Sequence, residues 1–245
     1  MTFALRPFPL AAATLSLLLS ACASPPRTAA QDSQIKSAAV VPLLSESPRV
    51  VRTGVTVFGN GFIQVEQDGA MNRTAIEVIE KRLKTSRPNW AIRQAMADPA
   101  DLLQKARARG ASWNGMVGNL KEELKQIAER TDADVLFVAF EYGSDLAVGG
   151  VGTLGGLGTL YRCNFFSKPD GPATVHSFIS LILVDRSGTP ITGEKGGSER
   201  FAVTDIKPPC DFAQLQASPV AQQLSREMQK QLAVSLEGAA SSMGY

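Results

Sequence analysis

From residue 36 onward two hydrophobic patterns take turns along the chain: short unbroken apolar runs of strand length, and stretches whose apolar residues return every third or fourth position. Ala38-Ala-Val-Val-Pro-Leu-Leu44 is the first run, and Pro42 assigns it to an edge or a bulge, since proline has no N–H to give a ladder. Extended chain comes next at Val50-Val51 and Val55-Thr-Val-Phe58, and Gly59-Asn-Gly61 turns it into Phe62-Ile-Gln-Val65. Asp68 is placed to cap a helix with Met71, Ala75, Val78, Ile79 and Leu83 on one side and Arg73, Glu77, Glu80, Lys81 and Lys84 on the other. Pro88 ends it. Trp90-Ala-Ile-Arg93 reads as a short strand, and Asp98-Pro99, a cap followed by a first-turn proline, opens a brief helix through Leu102, Leu103 and Ala106. Asn119 and Glu122 have capping-box spacing in a third helix built on Val117, Leu120, Leu124, Ile127 and Ala128.

Asp134-Val-Leu-Phe-Val-Ala-Phe140 lacks alternation, the mark of a strand covered on both faces. Phe178-Ile-Ser-Leu-Ile-Leu-Val184 is a second long strand and runs into Asp185-Arg-Ser-Gly-Thr-Pro190, a tight turn with Gly188 available for positive φ. Residues 189–192 and 198–203 read as its hairpin partner. After Ser218-Pro219, Val220, Leu224, Met228, Leu232 and Leu236 recur every four residues until Gly238. The pattern as a whole predicts an α/β (α+β) fold: a single domain over residues 36–245, a mixed β-sheet with amphipathic helices packed on it.

Upstream the pattern changes. Arg6, an apolar run over residues 10–19 and the ending Leu19-Ser-Ala-Cys22 have the layout of a secretory signal, and those last four residues resemble a bacterial lipobox. The apolar run falls well short of the roughly 20 residues a bilayer-spanning helix requires. The resemblance implies a signal peptide over residues 1–21, cleavage between Ala21 and Cys22, diacylglycerol on the Cys22 sulfur and a further acyl chain, palmitate, on the freed amine. Several chains hold a protein at a membrane where one is marginal, each buried methylene contributing about 0.8 kcal/mol. An ordinary signal peptide that happens to end at a cysteine is the plainer alternative. Residues 22–35, with Pro25-Pro26 and few groups that pack, form a lipidated flexible tether. The Ser33-x-x-Lys36 spacing inside it resembles penicillin-recognising enzymes but lacks the buried helix such chemistry needs.

With 44% hydrophobic and 20% charged residues, the chain can bury a core. Loss of Arg6 with the signal leaves a formal charge of +1, which gives no reason to expect nucleic acid as a partner. Setting Cys22 aside leaves Cys163 and Cys210. In an oxidising compartment such a pair reads as a disulfide, stabilising by about 3 to 4 kcal/mol in chain-entropy terms; two buried thiols that never meet are the alternative.

Residues 143–158 are rich in glycine, and Gly150-Val-Gly-Thr-Leu-Gly155 satisfies Gly-x-Gly-x-x-Gly with Asp170 further on. A dinucleotide site needs a helix at the third glycine, whereas Leu160-Tyr-Arg-Cys-Asn-Phe-Phe166 is strand-like. Leu146, Val148, Val151, Leu154 and Leu157 also lack the alternation of a membrane-inserting hairpin. The expectation is a mobile loop joining strands, apolar enough to dock on a neighbour. His176 is the only imidazole and, at the start of a strand, is expected at an edge or the surface rather than in a triad. One histidine and two paired thiols cannot assemble a usual zinc site. Lys105, Arg107 and Arg109 read as a solvated helix face, and Asp132 and Asp134 as helix-end residues. No catalytic, cofactor-binding or metal residue is therefore expected, and no enzyme.

The order of elements, with Thr131-Asp-Ala-Asp-Val135 leading into the central strand and Leu183-Val-Asp-Arg-Ser-Gly-Thr-Pro-Ile191 closing the next, resembles the small α/β domain of several envelope proteins. These are curli-secretion lipoproteins, outer-membrane activators of peptidoglycan synthases and the N-terminal domain of the Tol-system β-propeller protein. Ala39-Val-Val-Pro-Leu-Leu44 followed by Gly54-Val-Thr-Val-Phe-Gly-Asn60 also resembles uncharacterised proteobacterial lipoproteins. Ala23 and Ser24, in place of the aspartate associated with inner-membrane retention, resemble outer-membrane members. The resemblance implies an outer-membrane, periplasm-facing interaction or assembly module with an envelope protein as partner, or a homo-oligomer. The rival expectations are an enzyme acting on cell-wall or other periplasmic substrates and a carrier of a small apolar ligand.

Overall fold

The unbroken apolar runs become the middle of a sheet and the periodic stretches become helices laid on it. The computed structural model describes residues 33–95, 97–108 and 117–245; Ala21 and Cys22, with the expected signal and most of the tether, lie outside these, as does Arg109. In chain order the elements are β1 (Ser37–Leu43), β2 (Arg49–Thr53), β3 (Gly61–Gln64), α1 (Ala70–Ser86), β4 (Ala91–Gln94), α2 (Pro99–Ala108), α3 (Lys121–Thr131) and β5 (Val135–Glu141). They continue as β6 (Gly143–Val148), β7 (Gly152–Gly155), β8 (Leu157–Arg162), β9 (Thr174–Asp185), β10 (Pro190–Val203), α4 (Phe212–Ala217) and α5 (Pro219–Ser242). Residues Ile35–Tyr245 form one compact unit.

β9 organises the sheet. One edge carries β10, antiparallel from Val203 beside Thr174 to Pro190 beside Val184. The other edge is shared end to end: β5 pairs from Val135 beside Asp185 to Glu141 beside Ile179, and β8 takes over from Leu157 beside Ser177 to Leu160 beside Thr174. β1 lies parallel to β5 and β2 parallel to β8, with β4 and β3 outermost. Both rows are therefore interrupted midway. At the interruption the Tyr142 N–H donates to Phe178 O, the Phe178 N–H to Gly156 O and the Gly156 N–H to Tyr142 O. Between Tyr142 and Gly156 the chain leaves the sheet as the hairpin β6–β7, paired only to itself.

Burial explains the two patterns. On one face Val40, Phe137, Ile179 and Leu181 meet Met71 and Ile79 of α1 and Met228, Leu232 and Leu236 of α5. On the other, Val41, Leu136 and Val138 meet Leu103 of α2 and Leu124 and Ile127 of α3. All seven residues of β5 are buried, which is why its sequence does not alternate. Beyond the interruption the helical face continues through Val50, Tyr161, Leu215 and Leu224. The opposite face there is covered by the hairpin, whose Val148, Val151 and Leu154 rest on Val51, Leu160 and Phe178.

Several helix ends differ from expectation. Asp68 does not cap α1. Gly69 holds the N-cap position in the left-handed region, and the free N–H groups are taken from a distance by Glu46. Its Oε2 accepts from Met71 N at 3.2 Å and its Oε1 from Asn72 N at 2.9 Å, a carboxylate where the helix dipole favours one. α3 has no capping box: a 3-10 turn over Gly118–Leu120 leads into it, and Leu120 at the N-cap offers no side-chain acceptor. Val57–Gly59 is a 3-10 turn instead of strand. α5 runs past Gly238 to Ser242; that glycine makes room for Arg200, whose Nη2 would stand 2.8 Å from a Cβ there. The Asp98 cap does form, Oδ1 accepting from Ala100 N at 2.9 Å.

Candidate interaction surface

β2, β8, β9 and β10 all reach the same end of the sheet, where Thr53 lies beside Arg162, Leu160 beside Thr174, and Thr174 beside Val203. The connections that leave this end break the usual partition of apolar residues. Phe58 is 95% exposed, Phe165 82%, Phe166 78% and Val203 74%, and Val55 and Val57 are each more than half exposed. Single exposed hydrophobes are ordinary on protein surfaces, whereas a group gathered at one end marks a site of contact.

The loops that carry these side chains are held from behind. Arg52, near the end of β2, donates from Nε to Gly59 O at 3.1 Å and from Nη1 to Cys210 O, and its guanidinium lies 4.6 Å over the Phe212 ring. One cation thus ties two loops to a strand. Asn164 Oδ1 accepts from both Phe166 N and Lys168 N at 3.0 Å, an Asx turn that presents the two phenyl rings edge to face, 6.0 Å apart. Cys163 and Cys210 are bonded, with Cα atoms 6.0 Å apart, fastening the segment before α4 to the end of β8. Tyr161 donates its hydroxyl to Pro209 O at 3.2 Å. Burial pushes that phenol up to about 12, against the pull of Arg52 and with the help of Asp211, so it remains a donor. The hairpin tip locks in as well: the Asn60 amide donates to Gly149 O, and a Cβ on Gly149 would stand 3.0 Å from Val57 Cγ1.

The glycine-rich stretch is therefore no mobile loop. It is a hairpin docked on its own sheet, because the apolar residues expected to seek a neighbour find Phe178 and Leu160 instead. Its later glycines serve close approach. Gly156 has φ +60, and a Cβ there would fall 2.5 Å from the Glu141 carboxylate. At Gly158 a Cβ would stand 2.6 Å from Arg49 O and 2.7 Å from the His176 ring. Beyond Gly155 the chain enters strand β8, so no helix opens there to meet a pyrophosphate.

His176 also departs from expectation: it is 1% exposed, because β9 is interior at that point, with β8 and β10 on either side. The ring lies 5.4 Å from Phe178 and 6.5 Å from Phe201. Burial lowers its pKa to about 4 against a hydrogen bond with the Gly155 backbone, and its Nδ1 has no partner. Asp134 is a strand-joining residue, its Oδ2 accepting from Lys36 N at 2.8 Å and Ser37 N at 2.9 Å. Asp132 is the C-cap of α3 and pairs with Arg186 at 3.2 Å. Lys105 pairs with Asp101 on α2 at 2.7 Å. Among the described residues no group of three His, Cys, Asp or Glu could hold a metal ion, and no helix is long and apolar enough to cross a membrane.

Sequence reasoning missed the exposed phenyl groups by extending a strand through them. The available signal was the turn chemistry around Phe165-Phe166, with Asn164 before and Pro169-Asp-Gly171 after.

No family model matches the chain, and no curated protein does either. Among solved structures, a lipoprotein from Neisseria meningitidis shares 12% identity over 81% of this chain and 98% of its own, with a TM-score of 0.28. A protein described as a neuraminyllactose-binding hemagglutinin homologue from Helicobacter pylori shares 10% over 83% and 82%, with a TM-score of 0.33. A hypothetical protein of Chlamydia trachomatis shares 9% over 82% and 98%, with a TM-score of 0.28. Similarity this low carries no argument about the present chain.

Proposed function

We propose that this chain is an envelope lipoprotein, held by acyl chains on Cys22 in the outer membrane and facing the periplasm, whose work is to bind another envelope protein rather than to catalyse a reaction. The observation that carries the reading is the apolar end of the sheet, rigidly braced and uncovered. Flexible exposed phenyl groups would fold back onto the surface; Arg52, Asn164 and the Cys163–Cys210 bond keep these displayed. Ordering is done before contact, which lowers the entropic cost of binding.

The chain enters the sheet at the end remote from the apolar one. β1 begins at the opposite end, Ala38 lying beside Val135 and Val135 beside Asp185. The 12 residues of β9 separate the two ends by roughly 40 Å at about 3.4 Å per residue. Two measurements test the reading. Intact mass of membrane-extracted protein is expected to show acylated Cys22 as the first residue, and an unmodified Cys22 overturns the anchor. In detergent extracts the native chain is expected to sediment with a partner, and the Phe58→Ser, Phe165→Ser, Phe166→Ser variant alone with an unchanged melting temperature; equal sedimentation of both overturns the docking surface.

A further inference from the structure

The outer edge of β3 is an unfinished ladder. Against β2 the pairing runs past the strand proper: Val65 N donates to Pro48 O at 3.1 Å and Gln67 N to Glu46 O at 2.8 Å. Backbone groups alternate in direction along a strand, so Phe62, Gln64 and Glu66 turn theirs away from β2, where among the described residues no strand meets them. Sheet edges are ordinarily blunted against unwanted pairing. β10, on the far side of the sheet, is kinked by register shifts after Pro190 and after Gly196, whereas β3 keeps an unbroken register with β2 and residues 61–67 hold no proline.

This open edge has a wall beside it. The first turns of α5 stand over it and enclose ≈ 320 Å³, with Val65 and Glu66 on one side and Ala221, Gln222, Ser225 and Arg226 on the other. The Ser225 hydroxyl donates to Gln67 Oε1, which sets the spacing of helix and edge. On the helix side of the groove Ile63, Val65 and Val220 are only partly buried, leaving hydrocarbon for a further strand to cover. On the other face of β3 stand Phe62 and, 4.6 Å over its ring, the Arg49 guanidinium, both exposed. Arg49 and Arg226 have no ion-pair partner among the described residues, while the Glu66 carboxylate already accepts from Ser47 Oγ at 2.7 Å.

Edge, groove and charge together describe a strand-shaped guest. We propose that an extended segment of a partner protein, alternating apolar and acidic residues, adds to β3 as a further strand. Its backbone completes the ladder at Phe62, Gln64 and Glu66, its apolar side chains lie beside α5 against Val65, and its acidic ones reach Arg49 on the opposite face. The inference goes beyond the docking surface: it concerns the edge of the sheet rather than its apolar end, and the test reads a free peptide.

The experiment is a fluorescence-anisotropy titration of the full processed chain, in detergent, into a labelled Val-Glu-Val-Glu-Val-Glu peptide, its Val-Lys counterpart, and two forms of the first N-methylated either at the valines or at the glutamates. The acidic peptide is expected to bind saturably and the basic one about tenfold or more weaker, a gap that narrows in Arg49→Glu. Of the methylated forms, one is expected to bind like the parent and the other about tenfold or more weaker, since only alternate N–H groups face β3. The Phe58→Ser, Phe165→Ser, Phe166→Ser variant is expected to bind the acidic peptide unchanged, so the edge and the docking surface stand or fall separately. Absence of saturable binding by the acidic peptide up to about 1 mM, equal binding of the basic peptide, equal binding of the two methylated forms, or loss of binding in the triple variant overturns the proposal.

Discussion

An imidazole shut between phenyl rings can take up a proton only by paying in folding free energy, and His176 is in that position. Its pKa is about 4 in the folded chain against an ordinary 6.5, so the unfolded chain binds more protons throughout that interval. Stability is therefore full above pH 6.5 and falls as pH drops toward 4, by about 3 kcal/mol in total. Urea melts across this range are expected to show that slope in the native chain and a flatter one in His176→Leu. Asp134 acts at the acid end: burial raises its pKa, but the Lys36 and Ser37 N–H groups and the Ser37 hydroxyl outweigh this and hold it below the usual carboxylate range. Its contribution is present above that range and lost as pH falls through the lowered value, so it survives in His176→Leu. Gly156 gives a second test at this scale. Gly156→Ala is expected to cost about 2 to 3 kcal/mol, part from a left-handed backbone and part from the displaced Glu141. In thermal melts of Gly156→Ala with Glu141→Ala, the second part is expected to vanish and the first to remain. None of this was legible in sequence. The glycine stretch is visible as letters, but which carboxylate a missing Cβ admits depends on a strand interruption that no local pattern announces. For the same reason Asp68 reads as a cap while Glu46, far upstream, does the capping.

At the level of elements the sequence was informative wherever burial imposes a period. The spacing of Met71, Ala75, Ile79 and Leu83, and of Leu224, Met228, Leu232 and Leu236, predicts α1 and α5, because each residue on such a face is fully buried. β5 and β9 show as unbroken runs because helices or the hairpin cover both their faces. The hairpin β6–β7 did not show, since its apolar contacts come from Val148 and Leu154 flanking a tight tip and its glycines mimic a loop. The disulfide joins two connections rather than two core elements, which makes its removal a local test. Cys163→Ser with Cys210→Ser is expected to lower stability by about 3 to 4 kcal/mol in denaturant melts. Hydrogen exchange is expected to report faster opening at the Phe166 and Lys168 amides, which Asn164 holds in the native chain; unchanged protection there would detach the bond from the display of the two phenyl groups.

For the molecule as a whole, the apolar end is assembled from segments far apart in sequence: the β2–β3 connection, the turn after β8 and the last residue of β10. Each contributes one to three apolar residues that look unremarkable alone, so the surface exists only after folding. The same holds for its distance from the start of β1, since β1 and β9 run in opposite directions between the two ends. We propose that this end meets another envelope protein. It is tested most directly by placing a photo-crosslinking residue in live cells at Phe58 or Phe165, with Arg186 at the opposite end as control. A discrete protein adduct is expected at the two phenylalanine positions, of the same size from either, lost in Phe166→Ser and absent at Arg186. Adducts to lipid alone, a crosslinked pair of this chain with itself, or equal labelling from Arg186 would contradict it.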